Sequence, residues 1–284
     1  MVESASGSLS QPAQIFLGIV LITIGVTIAF ASQTPLITQP DEDIFKLTNP
    51  ATEATATWLR QQDGMVMVNV PAGVFVMGSP DDDPLADADE KPERRLDLAR
   101  FWIDRTEVTN AQYRLCVTEG RCPASVFQDD LTYNQPNQPV VGVPWEAAAT
   151  YCAWVGARLP TEAEWEKAAR GADGRKFPWG DAPPTCEYAV ISSHGQTGCG
   201  RGSQAWPVGS KPAGVSPYGA LDMIGNVWEW TATDYDEFSK VLKGGSWLYE
   251  GRNVRAAYRY FNPPEVTIQA IGFRCAMNNP IEEP

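Results

Sequence analysis

Two short runs, Gly244-Gly245-Ser246-Trp247 and Gly272-Phe273-Arg274-Cys275-Ala276, bracket the stretch whose reading decides the fold of this chain. They lie beyond Gly171, in a region rich in Gly, Pro and Trp whose strands are too short to delimit from pattern alone. Such a composition predicts an irregular, loop-dominated second half. The first half is more regular. Met65-Val66-Met67-Val68-Asn69-Val70 alternates like a strand, and after the Pro71-Ala72-Gly73 turn a second strand runs through Val74-Phe75-Val76-Met77. Thr109 caps a helix expected over residues 110–119, and Pro144 opens one over 145–155. Thr161 and Glu164 form a capping box for a third over 162–169. Short helices mixed with short strands read as an α+β fold.

The 284 residues, 43% apolar and 10% aromatic, are enough to fill a sizeable core. Thirty-five acidic against 22 basic residues give a formal charge of -13, which would repel a nucleic-acid backbone, so no nucleic-acid partner is expected. Ile15 to Ala31 is an uncharged apolar run of 17 residues, at the short end of what spans a bilayer. It is read as a single transmembrane helix after a tail over residues 1–14. The competing reading is a signal peptide cut after Ala29-Phe30-Ala31, against which residues 1–14 carry no Lys or Arg. Either reading exports the rest of the chain. Residues 32–64, with Pro35, Pro40, Pro50 and a helix-compatible piece from Ala51 to Gln62, read as a stalk. Residues 65–278 read as the domain and 279–284 as a tail.

Of the six cysteines, Cys116 and Cys122 are close in sequence, as are Cys186 and Cys199, leaving Cys152 and Cys275. An even count beside an export segment favours disulfides in an oxidising, extracytoplasmic compartment over six buried thiols. The acidic stretch through Asp81-Asp82-Asp83 and residues 87–93 lacks EF-hand spacing and reads as a solvated loop. The single histidine, His194, lies in a polar Ser-Ser-His-Gly-Gln loop and reads as a surface residue.

Gly156 to Glu166 (GARLPTEAEWE), Gly225-Asn226-Val227-Trp228-Glu229-Trp230 and the two bracketing runs carry a specific resemblance. Pro71 to Ser79, Thr106-Glu107-Val108-Thr109-Asn110 and Phe177-Pro178-Trp179-Gly180 extend it over about Met65 to Ala276. This stretch resembles the formylglycine-generating enzyme (sulfatase-modifying factor) family. The resemblance implies a variant of the C-type lectin fold, held by disulfides and bound calcium, and it pairs Cys152 with Cys275. In catalytic members two cysteines just after the Gly-Gly-Ser run bind copper and oxidise a substrate cysteine with dioxygen. Here those places hold Tyr249 and Val254. Neither a phenol nor an isopropyl group supplies a thiolate for a soft metal or for disulfide exchange. No copper is therefore expected, no catalytic residue is assigned, and the chain reads as a pseudoenzyme. Ser246 and Trp228 match residues lining the family's oxygen pocket, so with Tyr249 they mark a remnant pocket. The sulfoxide synthases of ergothioneine biosynthesis, another branch, need a histidine-bound iron, which one histidine cannot build.

The resemblance also implies a calcium site from Asp222, Gly225, Val227 and Glu229, two carboxylates and two backbone carbonyls of the hard-oxygen kind calcium prefers. The alternative is that Glu229 pairs with a core arginine. In a second family calcium site the first ligand falls on Val190, which offers no side-chain oxygen. The stretch from Leu248 to Ala270 lies where active members bind their peptide and where diversified lectin-fold proteins vary. Its Tyr249, Arg252, Tyr258, Tyr260 and Phe261 are residue types of binding hot spots and form the candidate partner face. If Arg255 and Arg259 are instead held in ion pairs, that surface is ordinary. The expectation is a non-catalytic, membrane-anchored, extracytoplasmic binding or assembly module, an accessory subunit docked on a larger membrane protein complex. Its alternatives are an oxidoreductase of altered mechanism and a ligand-binding lectin-fold receptor.

Overall fold

A computed structural model describes residues 56–279. The tail, anchor and most of the stalk expected before residue 56 lie outside this range, as do residues 280–284. Among the described residues, no helix is long and apolar enough to cross a membrane.

Strand β1 (Thr57–Arg60), β2 (Met65–Val70), β5 (Phe101–Asp104) and β10 (Ala276–Met277) form an antiparallel sheet in the order β1-β2-β5-β10. The piece from Ala51 to Gln62 was expected to suit a helix, but its residues 57–60 form the edge strand of this sheet. The reason is a long-range ion pair. Arg60 is buried, and its guanidinium reaches Asp63 at 2.7 Å and Asp104 of β5 at 2.8 Å. Asp104 Oδ2 in turn accepts the Cys275 amide at 2.9 Å, tying the start of the domain to its end.

β2 shows why period-2 alternation matters, since its side chains divide between the two faces of the sheet. Met65 and Met67 pack with α1 (Asn110–Thr118) and α2 (Trp145–Trp154), through Tyr113, Cys116, Ala148 and Tyr151. Val68 and Val70 pack on the other side with Trp165, Ala168 and Ala169 of α3 (Glu162–Arg170). The three helices fall within a residue of their expected bounds, and the capping box of Thr161 and Glu164 is formed. Thr109 caps α1 and is reinforced by Gln112. Trp165 is fully buried, while Trp145, Trp154 and Trp179 are partly buried against the core.

β3 (Gly73–Met77) pairs with β4 (Arg94–Leu98). A third sheet orders β8 (Tyr260–Asn262), β7 (Lys240–Lys243), β6 (Trp228–Asp234) and β9 (Ile271–Gly272), with β6 and β9 parallel. Three disulfides staple the fold: Cys116–Cys122, Cys186–Cys199 and Cys152–Cys275, the last closing 123 residues and joining α2 to the segment before β10.

Candidate functional site

The Gly-Gly-Ser-Trp turn leaves β7 and carries the chain into the region where catalytic relatives keep two thiols. Gly245 adopts φ +79°, and a side chain there would meet Val254 Cγ1 at 2.7 Å, so glycine is required by both conformation and space. Val254 is wholly buried against this turn. Every cysteine of the chain is in a disulfide, and no free thiol stands near either place.

Tyr249 follows the turn and is half-buried, packing against both large core clusters. Its ring meets Trp228 edge-on with centroids 5.5 Å apart, and Tyr260 stacks on Trp228 at 5.0 Å. Tyr258 lies 5.9 Å from the same indole. Trp228 is buried. Burial, helped by the neighbouring Tyr260, raises the Tyr249 phenol above its ordinary pKa, so the group facing Trp228 is a neutral phenol rather than an anionic ligand. Ser246 is also buried, and its hydroxyl accepts the Leu248 amide at 3.3 Å. The remnant pocket is thus filled by aromatic packing and a serine turn.

The partner face proposed from sequence divides in two. Its aromatic members converge, Tyr249, Tyr258 and Tyr260 around Trp228, with Phe261 42% exposed and stacked on Tyr235 at 4.0 Å. Arg255 and Arg259 are held in ion pairs, the condition under which this surface reads as ordinary, so only its aromatic members and Arg252 are left to a partner. Arg252 pairs with Asp87, Arg255 is buried against Glu90 at 2.7 Å, and Arg259 pairs with Glu162 at 2.7 Å and Asp89 at 3.7 Å. The acidic stretch read as merely solvated therefore has a structural job. Asp83 and Glu90 are buried, and Asp87, Asp89 and Glu90 clamp the arginine segment. Sequence reasoning missed this because the partners lie 165 to 170 residues apart.

The calcium residues tell a mixed story. Gly225 takes φ +78° and packs so closely on the Val190 carbonyl that no Cβ fits, which fixes the turn after Asp222. Glu229, however, is engaged by Arg274, whose Nε donates to Oε2 at 2.6 Å and Nη2 to Oε1 at 2.7 Å. The Trp165 indole adds a third bond to Oε2 at 2.7 Å. The ligand set implied by the resemblance does not fit in this member: Glu229 is the arginine partner weighed as the alternative. Val190, in the second family site, is buried among apolar residues. His194 is exposed on a turn, as read.

Thr161, Glu162, Glu164 and Glu166 serve as caps and ion-pair members. Glu164 holds Arg158 at 2.6 Å, and Glu166 lies between Arg170 and Lys243 at 2.9 and 3.0 Å. Burial alone would push the Glu166 carboxyl up, but Lys243, Arg170 and the Gly78 amide outweigh it and hold the group below the usual carboxylate range.

This geometry defines a class: a disulfide-stapled, C-type-lectin-like α+β domain with a tight Gly-Gly-Ser-Trp turn and no thiol beside it. The chain belongs to the sulfatase-modifying factor enzyme 1-like domain family, whose model matches residues 53–279. It is similar to the inactive C-alpha-formylglycine-generating enzyme 2 of Bos taurus, 33% identical over 77% of this chain and 91% of the relative. A similarity to hercynine oxygenase of Mycolicibacterium thermoresistibile, 34% identical, takes in 64% of this chain, which spans about half (52%) of that relative. Among solved structures, PvdO from Pseudomonas aeruginosa superposes with a TM-score of 0.65 at 26% identity, over 78% of this chain and 98% of that one.

Proposed function

We propose that this chain is a non-catalytic member of its family, working as a binding or assembly module on the extracytoplasmic side of a membrane. One observation carries the reading: the two places where catalytic members hold thiols are a half-buried Tyr249 and a buried Val254, and all six cysteines are bonded to one another. A copper site of that kind needs thiolates, and this chain has none to give. Similarity to a relative described as inactive supports the same conclusion. Disulfides support an oxidising compartment, and the apolar run from Ile15 to Ala31 supports attachment to a membrane.

The binding surface is the aromatic face of Tyr249, Tyr258, Tyr260 and Phe261. Rigid rings give large contact area at low entropic cost, which is why they recur as interface anchors. Arg252, at the exposed edge beside Asp87, supplies the polar rim. The partner is a protein of a larger membrane complex.

Thiol titration of the denatured, unreduced protein tests the carrying observation. Zero reactive thiols per chain is expected; one or more would overturn it. Extraction in mild detergent tests the assembly role: recovery in a stoichiometric complex is expected, and a lone monomer contradicts it.

A further inference from the structure

A cavity of about 300 Å³ opens between α1 and the loop that follows it, and none of its lining residues belongs to the Gly-Gly-Ser-Trp turn or to the aromatic face. On the helix side it is lined by Asn110, Tyr113, Arg114 and Val117, whose spacing of three, four and seven residues is that of one helical face. On the loop side stand Ala124, Ser125, Gln128, Asp129 and Asn134.

The loop wall is built before any ligand arrives. The Cys116–Cys122 bridge ties its start to the helix, and the Tyr113 hydroxyl donates to the Pro123 carbonyl at 2.9 Å. Ser125 Oγ donates to the Val141 carbonyl at 2.6 Å, and Asn134 Nδ2 to the Gln128 carbonyl at 2.7 Å. From the floor of the helix, Asn110 Nδ2 donates to the carbonyls of Tyr133 and Gln135 at 2.8 and 3.1 Å. A wall fixed in this way has little ordering left to do on binding, which lowers the cost of taking a small ligand.

Two opposite charges line this one cavity. Arg114 donates a single bond, from Nη2 to the Asn134 carbonyl at 3.3 Å, and among the described residues neither Arg114 nor Asp129 has an ion-pair partner. A plain anion would meet Arg114 but be repelled by Asp129 and by a chain of net charge -13. A plain cation would meet Asp129 and be repelled by Arg114. A molecule carrying both charges answers both groups at once.

We propose that this cavity binds a small zwitterion of amino-acid size, its carboxylate on Arg114 and its ammonium on Asp129. The guanidinium fork matches a carboxylate, and an ammonium donates to a free carboxylate, both charge-assisted hydrogen bonds. Val117 and Ala124 line the same space and offer apolar contact to the ligand's side chain. A volume of about 300 Å³ lies at the small end of ligand pockets and suits one such molecule. This site goes beyond the protein-binding face and stands or falls independently of it.

The test is calorimetric titration of the full chain, in mild detergent, with L-alanine, L-glutamine and L-leucine in turn. One site per chain is expected for at least one of the three. The N-acetyl and the α-amide forms of that amino acid, each with one charge removed, should bind at least about tenfold more weakly, the scale of one charge-assisted hydrogen bond. Arg114→Gln and Asp129→Asn, both exposed positions where folding is not at risk, should each weaken the zwitterion by a similar factor. Arg121→Gln removes the same charge from an exposed residue outside the cavity and should change affinity by less than about twofold. Binding of none of the three probes overturns the proposal, as does equal binding of the blocked forms. An affinity untouched by Arg114→Gln and Asp129→Asn, or lowered as much by Arg121→Gln, overturns it too.

Discussion

The junction where β6 meets Arg274 and the face running from Tyr249 to Phe261 lie in the same half of the chain but are built on opposite principles. At the junction everything is inside: Glu229, Arg274, Trp165 and Trp230 are fully buried, and each polar atom of the Arg274–Glu229 pair has its partner. On the face the rings are half exposed and lean on one another, and its arginines are clamped by an acidic loop from the other end of the sequence. The contrast teaches that this scaffold and its site are separable. Ion pairs, caps and disulfides hold the fold at the junction, so the turn beyond Gly244-Gly245 keeps its structure with a phenol at 249 and an isopropyl group at 254.

The largest effect should come from breaking the junction. Arg274→Ala leaves Glu229 buried without its cation, and removing one partner of a buried pair costs about 3–5 kcal/mol. Denaturant unfolding reads this directly; a loss under about 1 kcal/mol, the scale of an exposed pair, would erase the distinction between the two regions. Replacing Cys152 and Cys275 by serine should cost about 2–5 kcal/mol, because this bridge closes the longest loop. The same pair of substitutions at Cys116 and Cys122, which close a loop of separation 6, should cost less.

A smaller effect is expected from acid. The Glu166 pKa is lowered in the folded state, so its contribution is present above the unfolded value of about 4.3 and is lost as pH falls through the folded one. The difference in thermal midpoint between the wild type and Glu166→Gln should hold between neutrality and roughly that value and shrink below it. Glu166→Gln should lower the neutral midpoint and flatten the acid decline; an unchanged slope would remove this residue from the account. The smallest effect on stability belongs to Phe261→Ala, about 1 kcal/mol or less for a 42% exposed ring. Recovery of the complex should nonetheless fall sharply. A large stability loss with unchanged recovery would turn the face into scaffold.

The helices were legible in the sequence because their signals are local: Thr109, Pro144 and Thr161 sit at the ends they define. Residues 57–60 were not, because the buried Arg60 pairs with Asp104, 44 positions away, and tertiary contact overrode local preference. The reading that puts Tyr249 and Val254 at the family's cysteine positions comes from the motif alone. The clamp of Asp87, Asp89 and Glu90 on Arg252, Arg255 and Arg259 was not, since a run of carboxylates looks the same whether water or arginine surrounds it. Glu107 lay inside a quoted motif, Thr106 to Asn110, yet only the fold brings the Asn226 side-chain amide to its carboxylate at 3.0 Å.

The most direct test of the central claim is to incubate the purified full chain with a cysteine-containing sulfatase-type peptide, copper and dioxygen, and to follow the peptide thiol by mass spectrometry. A peptide no different from the enzyme-free control is expected; catalytic conversion of the cysteine to an aldehyde would show that the chain is an active enzyme.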